Sequence, residues 1–326
     1  MLSIFRNNTF INSFLLLSYI VILRLYSFIH PDTYVPWPDD NGFVKILYRY
    51  LLSNDLIQSI AGALVCFFIS TLVNRMTINH RLLKDITFYP GVFVALLCIL
   101  FSVNSCSPEL LGLWIFLVAL SKIFKWYNNN NPTAFIFLGG FYIGVSSILF
   151  FPYFYFFAFG IIALFVLRSY NIKEILQYFL GFICPFYLAF GFMFWFGADQ
   201  PITVEYLSDK LTFFKPNVTL GWFDVSLLLV LLTLLLLIAL SYTQLSKGNI
   251  IPVQKIIDLL YWILFFSPIF IFYRGEISSE QAFVILPVVS LIVTYYLLNQ
   301  KNKIIPELVH AVFLILVIVK QYFQLL

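Results

Sequence analysis

Apolar runs close to twenty residues long recur throughout this chain, separated mostly by short polar segments. About twenty helical residues cross the hydrocarbon core of a bilayer. Within that core every backbone N–H and C=O must be paired inside a helix or a closed barrel. Barrel strands alternate apolar and polar residues, and these runs do not. The composition agrees, since 62% of the residues are hydrophobic and only 10% are charged, against about 25% charged in a soluble domain. The expectation is an all-α, polytopic transmembrane bundle forming a single integral membrane domain over 1–326.

Hydropathy and length predict about eleven spans: 10–29, 56–74, 86–104, 109–124, 133–150, 153–167, 174–196, 223–245, 256–273, 281–298 and 307–325. The first run is too long for a signal-peptide core, carries Arg24 and lacks a small-residue cleavage site, so it reads as a retained anchor. Phe151-Pro152 predicts a tight turn between two short helices, although 133–167 also reads as one kinked element. Lys320 falls within the last run, where a lysine snorkels to the interface.

The charges orient the bundle. With the N-terminus inside, twelve Lys and Arg lie in inner segments, five in outer segments and two within spans. That bias follows the positive-inside rule and puts the C-terminus outside. Eleven of the acids then lie outside and four inside. The two longer outer segments are the first loop, 30–55, and a second, 197–222.

The first outer loop holds the main candidate site. Its start, HPDTYVPWPDDNG, carries three prolines, which forbid a helix. Next comes FVKILYRYLL, with apolar residues at helical spacing and Lys45 and Arg49 four apart on one face. This predicts a short amphipathic helix in the outer interface. On a functional reading, Asp32, Asp39 or Asp40 supplies a general base, and Lys45 and Arg49 hold a lipid phosphate. On a plain reading, the segment is a solvated, proline-broken hairpin. Arg274, in a short outer connection beside Glu276, is either a phosphate clamp or a surface charge paired with a glutamate.

Two other blocks stand out. Gly140, Gly144 and Ser147 share one helix face, the pattern of close helix packing. Residues 150–157, FFPYFYFF, read as a lipid-facing aromatic belt or as a greasy groove for an isoprenoid tail.

Four cysteines with no CxxC spacing support neither a disulfide framework nor a metal site. There is no P-loop, HExxH, GxSxG or nucleic-acid motif. The span interiors lack the recurrent ionisable residues of a proton-coupled pump. No cofactor is implied.

On the stretches MLSIFRNNTFINSFLL, TLVNRMTIN, FLGGFYIGVSSILFFPYFYFF and LRSYNIKEILQYFLGFICPFYL, the chain resembles an uncharacterised family of bacterial multi-pass inner-membrane proteins. More distantly, its plan is similar to GT-C-type glycosyltransferases, which use polyprenyl-phosphate-linked sugars. In those enzymes the first outer loop carries a catalytic acid and interfacial helices follow it. This chain departs in having Asp32 alone and then Asp39-Asp40, and no large soluble outer domain. The resemblance implies the inner membrane as location, polyprenyl phosphate and other membrane lipids as partners, and transferase chemistry at the outer face. Two alternatives remain from the residues: a non-catalytic component of an envelope assembly or secretion system, with protein partners in the envelope, and a transporter or lipid flippase.

Overall fold

The computed structural model describes residues 5–6, 10–31, 33–36, 40–102, 106–127, 129, 131–168, 171–195, 242, 249–272, 279–300 and 304–323. Asp32, Asp39, Arg274, the loop 197–222 and, apart from Tyr242, the expected span 223–245 lie outside the described residues.

Those residues are helical, with no strand among them. The helices are α1 (Phe10–Leu23), α2 (Leu25–Ile29), α3 (Gly42–Tyr50), α4 (Asp55–Asn79), α5 (Tyr89–Phe101), α6 (Pro108–Ile123) and α7 (Thr133–Leu149). They continue with α8 (Phe156–Leu167), α9 (Ile172–Trp195), α10 (Ile251–Phe266), α11 (Pro268–Phe272), α12 (Leu286–Asn299) and α13 (Ile304–Phe323). Among the described residues, five helical stretches are long and apolar enough to cross a membrane: Asp55–Asn79, Ile172–Trp195, Ile251–Phe270, Glu280–Asn299 and Ile304–Gln321. They mark a membrane protein.

α5 is the central post, with all thirteen of its residues buried. It packs against α4, α12 and α13. A helix apolar on every side belongs in a core or a membrane, and here α5 has helices around it. Among the described helices, α7 and α9 make the most extensive contact. A Cβ added to Gly140 would stand 2.3 Å from the Tyr178 carbonyl oxygen, one on Gly144 2.5 Å from that of Phe182, and one on Gly181 2.2 Å from that of Phe137. The two backbones are in contact, so the small-residue face is a packing face.

Three sequence expectations change. The first run is not one helix but breaks at Arg24 into α1 and α2. Lys320 does not snorkel; it is 5% exposed and its ammonium donates to the carbonyl oxygens of Leu100 at 2.8 Å and Ser102 at 2.6 Å. Those carbonyls terminate α5, where a cation is favoured. The aromatic block 150–157 is mostly core rather than lipid belt. Its 3-10 turn, Phe151–Tyr155, joins α7 to α8, and Tyr153 and Phe156 pack on Phe116 and Phe270.

Helix ends gather at two poles. At one pole, Phe88 N–H bonds the Phe5 carbonyl oxygen, and His80 at the end of α4 meets Phe124 behind α6. There Arg168 also ties α8 to α9 and to the turn after α6. Its guanidinium bonds both Glu174 oxygens and donates to the carbonyls of Trp126 and Asn129, each at 2.9 Å. At the other pole lie the first loop, α3, the starts of α4 and α6, and the end of α13.

Candidate functional site beneath the first loop

The first loop is held by α4. Tyr34 N–H donates to Gln58 Oε1 at 2.9 Å, while Gln58 Nε2 donates to the Leu52 carbonyl at 2.9 Å and the Tyr34 carbonyl at 3.3 Å. One buried amide thus staples both ends of the loop. Within it, the Asn41 side chain accepts from Phe43 N–H at 3.2 Å, capping α3 where the prolines stop.

α3 buries Gly42, Val44 and Tyr48, whereas Tyr50 and Leu51 are exposed. Phe43 packs edge-on against Phe192 of α9. The face turned into the protein is therefore not the stripe 43, 46, 47, 50 and 51 that the apolar spacing picks out. Lys45 is half-buried and Arg49, one turn later, is exposed.

Asp40 faces inward. It is 8% exposed and accepts a hydrogen bond from the Tyr34 hydroxyl. The Tyr34 and Tyr48 rings lie 5.1 Å apart, and Tyr48 Oη donates to the Cys106 carbonyl at 3.0 Å. Burial drives the Tyr48 phenol well above its ordinary value, and Cys106, Glu109, Tyr34 and Glu280 add to the shift. Burial likewise pushes the Cys106 thiol up to about 12, with Arg24 pulling the other way. These interactions bring two further acids within electrostatic reach of Tyr48. Glu109, in the first turn of α6, is 3% exposed, and Glu280, in the 3-10 turn Ser279–Ile285, is 5% exposed.

Two cations are buried near this end. Arg24, at the α1–α2 break, donates to Cys66 Sγ at 3.3 Å. Lys320 is placed by the ends of α5 described above. Burying charge costs several kcal/mol per ion unless partners and hydrogen bonds offset it. Asp40, Glu109, Glu280, Arg24 and Lys320 make this pole the chain's main concentration of buried charge among the described residues.

Chemically, the arrangement offers an inward carboxylate whose orientation is fixed by a phenol, the way a third group orients a base. Among the described residues no group of three His, Cys, Asp or Glu side chains is placed to hold a metal ion. Of the expected site residues, Asp40, Lys45 and Arg49 share one short segment. Asp32, Asp39 and Arg274 lie outside the described residues. The sequence reading did not single out Tyr34, Tyr48, Gln58, Glu109 or Glu280. A usable signal was present for Glu280-Gln281, which abut the run AFVILPVV without an intervening polar loop.

Compared with known proteins, the chain matches no family model, no curated protein and no solved structure.

Proposed function

We propose that this is an eleven-span protein of a bacterial inner membrane, N-terminus inside and C-terminus outside, that transfers a glycosyl or related group from a polyprenyl-phosphate carrier at the outer face. The observation that carries the reading is Asp40, buried and oriented by Tyr34 beneath the first loop rather than turned out to water. The chemistry is a single displacement. Asp40 takes the proton of an acceptor hydroxyl, whose oxygen attacks the anomeric carbon. The bond from that carbon to the phosphate oxygen breaks, and polyprenyl phosphate leaves with the electron pair. Lys45 and Arg49, and Arg274 from its own loop, neutralise the leaving phosphate. The topology rests on the Lys and Arg bias and on the gathering of helix ends at two poles.

The test is reconstitution in liposomes with polyprenyl-phosphate-linked sugars, reading release of polyprenyl phosphate. Asp40→Asn lowers turnover by about a hundredfold or more if the carboxylate is the base, with the unfolding midpoint retained. Unchanged turnover in that variant rejects Asp40. A reporter fused after Leu326 that proves cytoplasmic rejects the topology.

A second reading has its own observation. The Gln58 staple and the Tyr34–Asp40 bond suit a loop built to be rigid, as in a non-catalytic envelope component. That reading predicts stable co-purifying partners and tolerance of Asp40→Asn.

A further inference from the structure

At the pole opposite the first loop, α4, the turn after α6, α7 and α10 converge on a cavity of about 550 Å³. His80, Lys125, Tyr127, Asn129 and Phe135 are in its wall. Arg81 adopts the left-handed region at φ 51, which ends α4 and leaves His80 as its C-cap. Lys125 Nζ lies 5.3 Å from the Phe135 ring centroid, and Lys255 Nζ lies 4.9 Å from that of Tyr127. Such contacts are weak at exposed sites, yet each sets an ammonium group against an aromatic face bordering the cavity. Asp258, three residues along α10 from Lys255, accepts the Tyr242 hydroxyl at 2.7 Å. His80 is held below its ordinary 6.5 by burial and then by the charge of Lys125, and a neutral imidazole has one nitrogen to donate and one to accept.

We propose that this cavity binds a phosphate monoester. Its phosphate sits between Lys125 and Lys255 with His80 and Asn129 as hydrogen-bonding partners, and its organic part lies against Tyr127 and Phe135. Two ammonium groups on separate elements each take an oxygen of a doubly charged group, which a singly charged carboxylate does not match. The volume exceeds that of a bare inorganic ion and falls in the small-ligand range of about 300–1,000 Å³. The same chemistry comes from a lipid headgroup or from a soluble sugar phosphate.

The full-length protein in phosphatidylcholine nanodiscs separates these sources. Glucose 6-phosphate is titrated calorimetrically, and phosphatidic acid retention is read by native mass spectrometry. One of the two probes binds saturably, and the double variant Lys125→Gln, Lys255→Gln weakens it by about tenfold or more. Lys173→Gln, an exposed cation on α9, leaves it unchanged. No saturable binding of either probe overturns the proposal, as does an equal loss in Lys173→Gln. A wild-type readout stands apart from variant folding: the bound phosphate raises the His80 pKa in a proton-resonance titration, and an unmoved His80 overturns the proposal as well.

Discussion

The α7–α9 interface gives the sharpest quantitative test of the fold that carries both sites. Alanine at Gly140 puts a methyl 2.3 Å from the Tyr178 carbonyl oxygen and 3.0 Å from Phe182 N; at Gly144 it stands 2.5 Å from the Phe182 oxygen and 3.0 Å from Pro185 Cγ. Ordinary contact begins at 3.4 Å. The helices must therefore separate by about 1 Å, and the obstacle is backbone, which cannot rotate away as a side chain does. Overpacking of this kind costs about 1–3 kcal/mol, and a rigid obstacle belongs near the upper figure. Replacing a helical glycine by alanine returns about 1 kcal/mol of propensity. The net expectation is a loss of about 2 kcal/mol for either variant. Gly191 is the internal control, since a Cβ there meets nothing within 4 Å. Gly191→Ala keeps the propensity gain with no clash, so it is neutral or more stable by up to about 1 kcal/mol. The assay is equilibrium unfolding in mixed micelles followed by circular dichroism. If Gly140→Ala and Gly144→Ala unfold within about 0.5 kcal/mol of wild type, the backbone contact is not there and the reasoning fails.

Three further outcomes are expected. Gln58→Leu leaves the Tyr34 N–H and the Leu52 carbonyl without their buried partner and costs about 2–3 kcal/mol; limited proteolysis then cuts the first loop faster, and an unchanged cleavage rate contradicts the staple. Arg168→Lys loses most of the stability lost in Arg168→Ala, because two carbonyls and a carboxylate need the guanidinium fork rather than a point charge; unfolding midpoints of the two variants decide it. His80 has a folded pKa below its ordinary 6.5 through burial and then Lys125. Below about pH 6.5 the unfolded chain takes up a proton that the native chain refuses, so stability is full above that pH and falls as pH drops through the folded value. His80→Gln flattens that acid slope, and a slope identical to wild type in thermal unfolding against pH refutes the assignment.

The helical class was legible because a bilayer leaves a long apolar run few alternatives, and α4, α9 and α13 read directly from their length. The interior of the bundle was less legible. Hydropathy treats a lipid-facing phenylalanine and a core phenylalanine alike, so 150–157 looked like a belt although Phe156 touches Phe116, Phe159, Phe266 and Phe270. Lys320 looked like a snorkelling end because nothing in its own run reveals the carbonyls of α5, more than two hundred residues earlier. Gly140 and Gly144 were legible for the opposite reason. Close approach needs the small residue itself, so the cause of the contact is written at the position where it occurs.

The buried acids extend that contrast to function. Asp40 was visible as an acid in a proline-broken loop, but its inward direction depends on Tyr34, whose own place depends on Gln58 in α4. Glu109 and Glu280 join it only because α6 and the 3-10 turn before α12 begin at the same pole. A carboxylate in an exposed turn and one in a cluster have identical local sequence, and the difference is supplied by residues from four separate elements. What the first loop can do chemically therefore depends on what packs beneath it. For that reason Gln58→Leu is the perturbation that separates the two functional readings. It frees the loop while keeping every acid, so a transferase loses turnover through misplacement of Asp40, whereas an assembly component loses its partner only if the loop itself is the contact.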